Sequence, residues 1–225
     1  MLRITLGKLL EEQTQRSPDA HFVTFVDTGE RLSYAEFNER CNRFAHGLAE
    51  RGVGAGDFVG IMLRNSLEYL VSSYALKKLG AVEVALNIDF RGPGLVRMVN
   101  LTQSPMLITS NEFLAPLNQV AGQLTHLNTL IVTDDVDTPL PGCEHVAFES
   151  VLSSNDENPG VKVRDTDLTI ILFTSGTTGL SKGLLLSHRF VMCGATGVVE
   201  TYGLTDQDCV YTPWPLHHYG AAVCE

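Results

Sequence analysis

No stretch of this sequence approaches the run of about 18 apolar residues that a membrane-spanning helix requires. Its first eight residues, M-L-R-I-T-L-G-K, lack the apolar core of a secretory signal. Cysteine is sparse and unpatterned: Cys41, Cys143, Cys193, Cys209 and Cys224 are odd in number and include no CxxC pair. A disulfide framework or a thiolate metal site is therefore not expected, and a reducing, cytoplasmic setting fits the cysteine usage best. Basic residues are also scarce. Sixteen Lys and Arg face 26 Asp and Glu, for a formal net charge of −10. That balance argues against nucleic acid and anionic membrane as partners, since both demand a cationic surface. A nucleotide is not excluded, because it needs only a local set of donors.

What remains is the composition of a globular protein, with 44% hydrophobic and 19% charged residues in a chain of 225. Residues 22–26 and 31–32 predict two short strands about a turn at 27–29. Ser33 and Glu36 form a capping-box pair, after which Phe37, Cys41, Phe44 and Leu48 share one helical face and Gly52 marks the stop. Residues 57–63 predict a strand. A helix over 66–79 follows, with Lys77 and Lys78 in its last turn and Gly80 beyond. Further strands are predicted at 81–86, 106–109 and 129–133. Helices are expected from Gly92-Pro93 to about Leu101 and around 113–124. This alternation predicts an α/β fold of mostly parallel, helix-covered sheets. Residues 134–165, rich in Asp, Pro, Ser and Asn, read as an irregular connection between layers.

The informative segment comes next. Leu168-Thr-Ile-Ile-Leu-Phe173 predicts a buried strand, and Thr174-Ser175-Gly176-Thr177-Thr178-Gly179-Leu180-Ser181-Lys182-Gly183 follows directly. Three glycines allow tight folding with several N–H groups turned toward an anion. The hydroxyls add donors, and Lys182 adds a charge for phosphate oxygens. The segment is not GxxxxGK[ST], since Ser181 and Gly183 stand where Gly and Ser or Thr are required. A flexible linker is the competing reading. Its place between a buried strand and an apolar Leu184-Leu185-Leu186 run disfavours that.

Residues 174–183 resemble the T-S-G-T-T-G-x-P-K-G phosphate-binding signature of the adenylate-forming superfamily, with Ser181 in place of the usual Pro. Leu32-Ser33-Tyr34-Ala35-Glu36-Phe37, Leu76-Lys77-Lys78-Leu79-Gly80-Ala81-Val82, Ser187-His188-Arg189 and Pro213-Trp214-Pro215-Leu216-His217-His218-Tyr219-Gly220 resemble other elements of that superfamily, so the likeness spans the whole chain. It implies the N-terminal portion of an acyl-CoA synthetase large domain over residues 1–225. The activity implied is ATP-dependent acid–CoA ligation: adenylation of a small carboxylic acid, then thioester formation. ATP, Mg2+ and coenzyme A are the implied cofactors. Thr174, Ser175, Gly176, Thr177, Thr178, Gly179 and Lys182 would bind the nucleotide, and His218 would shape the pocket beside the acyl and CoA channel.

His217 and His218 read as neighbours on a strand, pointing to opposite faces and so ill-placed to share a metal. Ser187 reads as a helix N-cap rather than a nucleophile. Residues 107–113 and 170–176 are similar to crotonobetaine/carnitine-CoA ligases.

The family's Y-G-x-T-E metal element, ribose-binding Asp and catalytic Lys of a small C-terminal lid domain have no counterpart. No lysine follows Lys182, and Glu200, Asp206, Asp208 and Glu225 are the later carboxylates. The expectation is thus an N-terminal fragment, inactive alone, with a complementing C-terminal fragment as partner. A non-catalytic nucleotide-binding or interaction module and a non-functional remnant are the alternatives.

Overall fold

A computed structural model of the chain describes residues 3–174 and 182–222. Helix α1 (Leu6–Arg16) begins at Thr5, whose hydroxyl accepts from the Lys8 N–H. Strands β1 (His21–Thr24) and β2 (Arg31–Ser33) form a separate antiparallel pair. Helix α2 (Tyr34–Glu50) starts at the expected capping box: the Ser33 hydroxyl accepts from the Glu36 N–H, and the Glu36 carboxylate accepts from the Ser33 N–H. The face predicted from spacing is the buried one, with Phe37, Cys41, Phe44 and Leu48 fully covered. Burial also pushes the Cys41 thiol far above its ordinary pKa, so it acts as a small apolar residue.

Strand β3 (Phe58–Met62) leads to α3 (Leu67–Leu79), capped by Ser66 and ended by Gly80 in the left-handed region at φ +70°. Then come β4 (Val82–Ala85), α4 (Gly92–Leu101), β5 (Met106–Thr109), the short α5 (Leu114–Asn118) and β6 (Thr129–Val132). Strand β7 (Glu144–Ala147), the turn α6 (Phe148–Val151), β8 (Leu168–Thr174), β9 (Lys182–Ser187), α7 (His188–Tyr202) and α8 (Tyr219–Ala222) complete the order.

Seven strands form one sheet in the order β7-β6-β5-β3-β4-β8-β9, and every pairing is parallel except the antiparallel β8–β9. The predicted α/β class with a mostly parallel sheet is the observed one. Both faces of the sheet are covered, which is why its strands read as continuous apolar runs. Val59, Ile61, Met106, Ile108 and Ile131 pack with α2 and α3. Met62, Leu107, Leu130 and Val132 alternate to the other face, against Leu95, Met98, Leu114 and Leu117.

The reading of residues 134–165 as an irregular connection needs correction. They contain β7, which adds parallel to β6, and the α6 turn. The sequence Glu-His-Val-Ala gave no strand signal because β7 is an edge strand whose side chains are exposed or half-buried. The following residues are fastened to α2 and α3. Arg43 Nε donates to the Ser153 carbonyl (2.9 Å), Asn42 Nδ2 to the Asp156 carbonyl (2.7 Å), and Lys78 Nζ to Asn158 Oδ1 (3.0 Å). Where α6 meets α2, Gly47 is required: a Cβ there would lie 1.6 Å from the Val151 carbonyl oxygen.

One charge cluster lies wholly inside. Glu83 on β4 points toward α3, where Tyr69, Ser73 and Lys77 recur every fourth residue and so share a stripe. The Tyr69 hydroxyl donates to Glu83 Oε1 (2.7 Å), Ser73 donates to Oε2, and Lys77 donates to Ser73. Lys77 Nζ stands 3.5 Å from Glu83 Oε2, with side-chain exposures of 3% and 1%. Lys78 is buried as well and pairs with Glu11 at 3.3 Å. Burial holds its ammonium below the usual lysine pKa, with Glu11 opposing.

Candidate functional site

Because β3, β4 and β8 are parallel, their carboxyl ends lie along one edge of the sheet, the edge at which open α/β sheets hold ligands. Four segments lead to that edge. The first is marked by the two described residues that flank the glycine-rich stretch. Ser175, Gly176, Thr177, Thr178 and Gly179 lie outside the described residues. Its ends are described: Thr174 closes β8, Lys182 opens β9, and the two are register partners. Lys182 is exposed at this edge.

The second and third are the turns after β3 and β4. Arg64 forks onto Glu112 (2.8–3.0 Å), and Ser66 caps α3, so Asn65 is held between two fixed neighbours. After β4, the Asp89 N–H donates to Asn87 Oδ1 (2.8 Å). Arg91 donates to the Ile88 and Phe90 carbonyls (2.6 and 2.8 Å) and so folds that turn on itself.

The fourth segment carries the two histidines. They were read as strand residues, but they occupy a turn between Pro215 and α8, closed by the His218 N–H on the Pro215 carbonyl (2.9 Å). Pro213 and Pro215 supply no N–H for a strand ladder, which explains the difference. Leu216 is 5% exposed and anchors the turn in the core. His217 is half-buried, and burial lowers its pKa, with Asp89 opposing and His218 reinforcing the shift. His218 is exposed, stacks on Trp214 at 6.2 Å with 25° between planes, and accepts from the Gly220 N–H. The structure thus places both His217 and His218 on the turn. His217, to which the resemblance assigns no role, is the more buried of the two.

The far end of the β8–β9 hairpin is braced. The His188 N–H donates to the Asp167 carbonyl (3.2 Å), the Arg189 N–H to the Asp165 carbonyl (2.7 Å), and Arg189 Nε to the Asp165 carboxylate (2.8 Å). Ser187 is the N-cap of α7, as expected, accepting from the Phe190 N–H. The His188 ring is fully covered, and Nδ1 accepts from the Leu6 N–H at 3.3 Å. Burial lowers its pKa to about 4. The Lys77 charge adds to the shift, and Asp167 and Asp165 oppose it.

A pH dependence follows. His188 has an ordinary value of 6.5 and a folded value of about 4, so the unfolded chain binds the extra proton between those limits. Its stabilising effect is complete above pH 6.5 and is lost as pH falls toward 4. The urea midpoint is expected to decline across that interval. His188→Asn, which keeps an acceptor for Leu6, should flatten the decline, and an identical slope in that variant would contradict it.

Among the described residues no group of three or more His, Cys, Asp or Glu could hold a metal ion. Cys41, Cys143 and Cys209 are free thiols. Among the described residues no helix is long and apolar enough to cross a membrane.

A helix-covered parallel sheet with a hydroxyl- and glycine-rich segment at a strand's carboxyl end is the arrangement of α/β proteins that handle phosphate-bearing ligands. More narrowly, the chain belongs to the AMP-binding enzyme family, whose pattern it matches over residues 10–225. It is 31% identical to YngI of Bacillus subtilis, which carries an acyl-CoA synthetase name; that match covers 97% of this chain and 44% of YngI. It is 28% identical to the medium/long-chain-fatty-acid–CoA ligase FadD6 of Mycobacterium tuberculosis, covering 97% of this chain and 35% of FadD6. The crystal structure of the inhibitor-bound N-terminal domain of FACL13 from Mycobacterium tuberculosis superposes with a TM-score of 0.82 at 25% identity, covering 99% of this chain and 54% of that one. The chain therefore spans less than half the length of these two curated relatives, and it matches the N-terminal part of acyl-CoA synthetases.

Proposed function

We propose that this chain supplies the nucleotide-phosphate half of an acid–CoA ligase that adenylates a small carboxylic acid and then forms its thioester. The observation that carries the reading is the pairing of Thr174 with Lys182 at the carboxyl edge of the parallel strands, which sets the ends of a hydroxyl- and glycine-rich segment there. In this reading Thr174, Ser175, Gly176, Thr177, Thr178, Gly179 and Lys182 hold the phosphates of ATP. Their N–H and hydroxyl donors and one ammonium match a polyanion. Mg2+ would shield charge on the transferring phosphoryl group. No acidic cluster among the described residues fits it, so no step through the metal is assigned to this chain. The carboxylate ligands, the acid pocket and the coenzyme A site fall to a complementing C-terminal segment, and the setting is the cytoplasm.

Acid identity is a matter for a substrate panel. The name of FadD6 supports medium- or long-chain fatty acids. The similarity of residues 107–113 and 170–176 to crotonobetaine/carnitine-CoA ligases supports short polar acids as well.

ATP binding to the purified chain, followed by calorimetry, tests the reading. Lys182→Ala is expected to weaken affinity by about 10- to 100-fold, the effect of losing one charged contact. Equal affinity in the variant would remove Lys182 from the site. With the C-terminal part of a relative added, acid-dependent ATP–pyrophosphate exchange is expected. Saturable ATP binding without exchange would favour a non-catalytic nucleotide-binding module, the second reading.

A further inference from the structure

Asn65 belongs to none of the motifs singled out in the sequence, yet its carboxamide makes two contacts with one distant segment. Asn65 Nδ2 donates to the Trp214 carbonyl at 2.8 Å, and Asn65 Oδ1 accepts from the Leu216 N–H at 2.8 Å. Donor and acceptor of one rigid amide thus grip alternate backbone groups of the turn that presents His217 and His218. The other hydrogen bonds within residues 205–218 are local: Thr205 with Asp208, Trp214 with Thr212, His218 with Pro215. Besides the clasp, the buried Leu216 side chain anchors this segment.

The gripping residue is itself fixed. Arg64 is held on Glu112 and lies 6.0 Å from the Phe113 ring, and Ser66 begins α3. The turn is thereby fastened at the end of β3, on the edge where β8 delivers Thr174. Asn suits this task because it alone offers a short planar donor–acceptor pair that a two-point backbone grip requires; Asp lacks the donor and Ser the reach.

We infer that Asn65 is the positioning residue for the histidine turn, latching Trp214 and Leu216 so that His217 and His218 stand at the ligand edge of the sheet. The positioning role rests on the ligase reading above; the latch does not.

Two hydrogen bonds, one exposed and one half-buried, stabilise by about 1.4 kcal/mol in all after competition with water, so their loss opens the turn about tenfold more often. Asn65→Ala is therefore expected to raise chymotryptic cleavage after the buried Leu216 about tenfold. It should also lower the fluorescence anisotropy of Trp214, the single tryptophan, and leave the urea midpoint of the whole chain almost unchanged. Asn65→Asp, which keeps the acceptor for Leu216, should fall between. Gln119→Ala, at an exposed position outside the clasp and its supports, should match the wild type. Unchanged cleavage and anisotropy in Asn65→Ala would overturn the latch, as would cleavage that merely tracks a lowered urea midpoint.

In a complemented mixture that shows acid-dependent exchange, Asn65→Ala should raise KM for the acid several-fold while ATP affinity stays constant. A mobile turn with unchanged KM and kcat would overturn the positioning role. Absence of exchange in the wild type, with a mobile turn in Asn65→Ala, would sink the ligase reading and leave the latch standing.

Discussion

Replacing Lys77 with methionine is expected to lower the free energy of unfolding by about 3–5 kcal/mol, read as a lower urea midpoint at an unchanged m-value. Lys77 and Glu83 are 2% and 0% exposed, and their charged atoms stand 3.5 Å apart. Removing the ammonium leaves a carboxylate in the interior with the hydroxyls of Tyr69 and Ser73 as donors. Two neutral donors do not replace a compensating charge where water is excluded. The exposed Arg64–Glu112 pair sets the contrast: it is well formed at 2.8 Å but lies in solvent, where such pairs contribute about 1 kcal/mol or less. The double variant Lys77→Met with Glu83→Gln should recover most of the loss, because the amide is neutral: its oxygen can accept from Tyr69, and its NH2 can donate to the Ser73 oxygen that Lys77 has left. A double variant no more stable than Lys77→Met would show that burying an unpaired charge is not the cause.

Gly47→Ala should destabilise the chain by about 3 kcal/mol, lowering Tm by roughly 6–12 °C. Local propensity argues the other way, since alanine inside a helix is favoured over glycine by about 1 kcal/mol. Packing decides the sign. The new methyl carbon would lie 1.6 Å from the Val151 oxygen and 2.7 Å from its carbonyl carbon, backbone atoms with no rotamer to escape into. Either α6 moves off α2 or α2 bends. Moving α6 separates Phe148 from Phe44, now stacked at 4.3 Å, and uncovers Val151. Gly122→Ala is the control, since nothing lies within 4 Å of a Cβ there. A Tm at or above the wild-type value in Gly47→Ala would refute the steric argument.

These effects also mark where the sequence is legible. The Ser33–Glu36 box and the Phe37, Cys41, Phe44, Leu48 face were readable because each depends on residues three or four apart on one helix. Lys77 and Lys78 were read as last-turn cations facing the helix dipole, and they do occupy that turn. Their burial was invisible because the partners, Glu83, Glu11 and Asn158, arrive from β4, α1 and a remote loop. Strand β7 escaped notice because an edge strand needs neither alternation nor a strong apolar run. At the candidate site, the glycine- and hydroxyl-rich pattern of 174–183 was plain in the residue types. The Asn65 clasp was not, because an asparagine before a helix cap reads as part of the cap, and only the fold brings residues 214–216 to it.

The Leu6–His188 contact also sets a schedule for synthesis. Its two members are 182 positions apart. At roughly 5–20 residues per second, a ribosome takes on the order of ten to forty seconds to make the second after the first. Helix α1 can lean on α2 and α3 during that wait, but its first turn keeps an open N–H until α7 begins. The start of α1 is thus made well before the residue that meets it, and a nascent chain halted before residue 188 would carry a first turn without its imidazole partner.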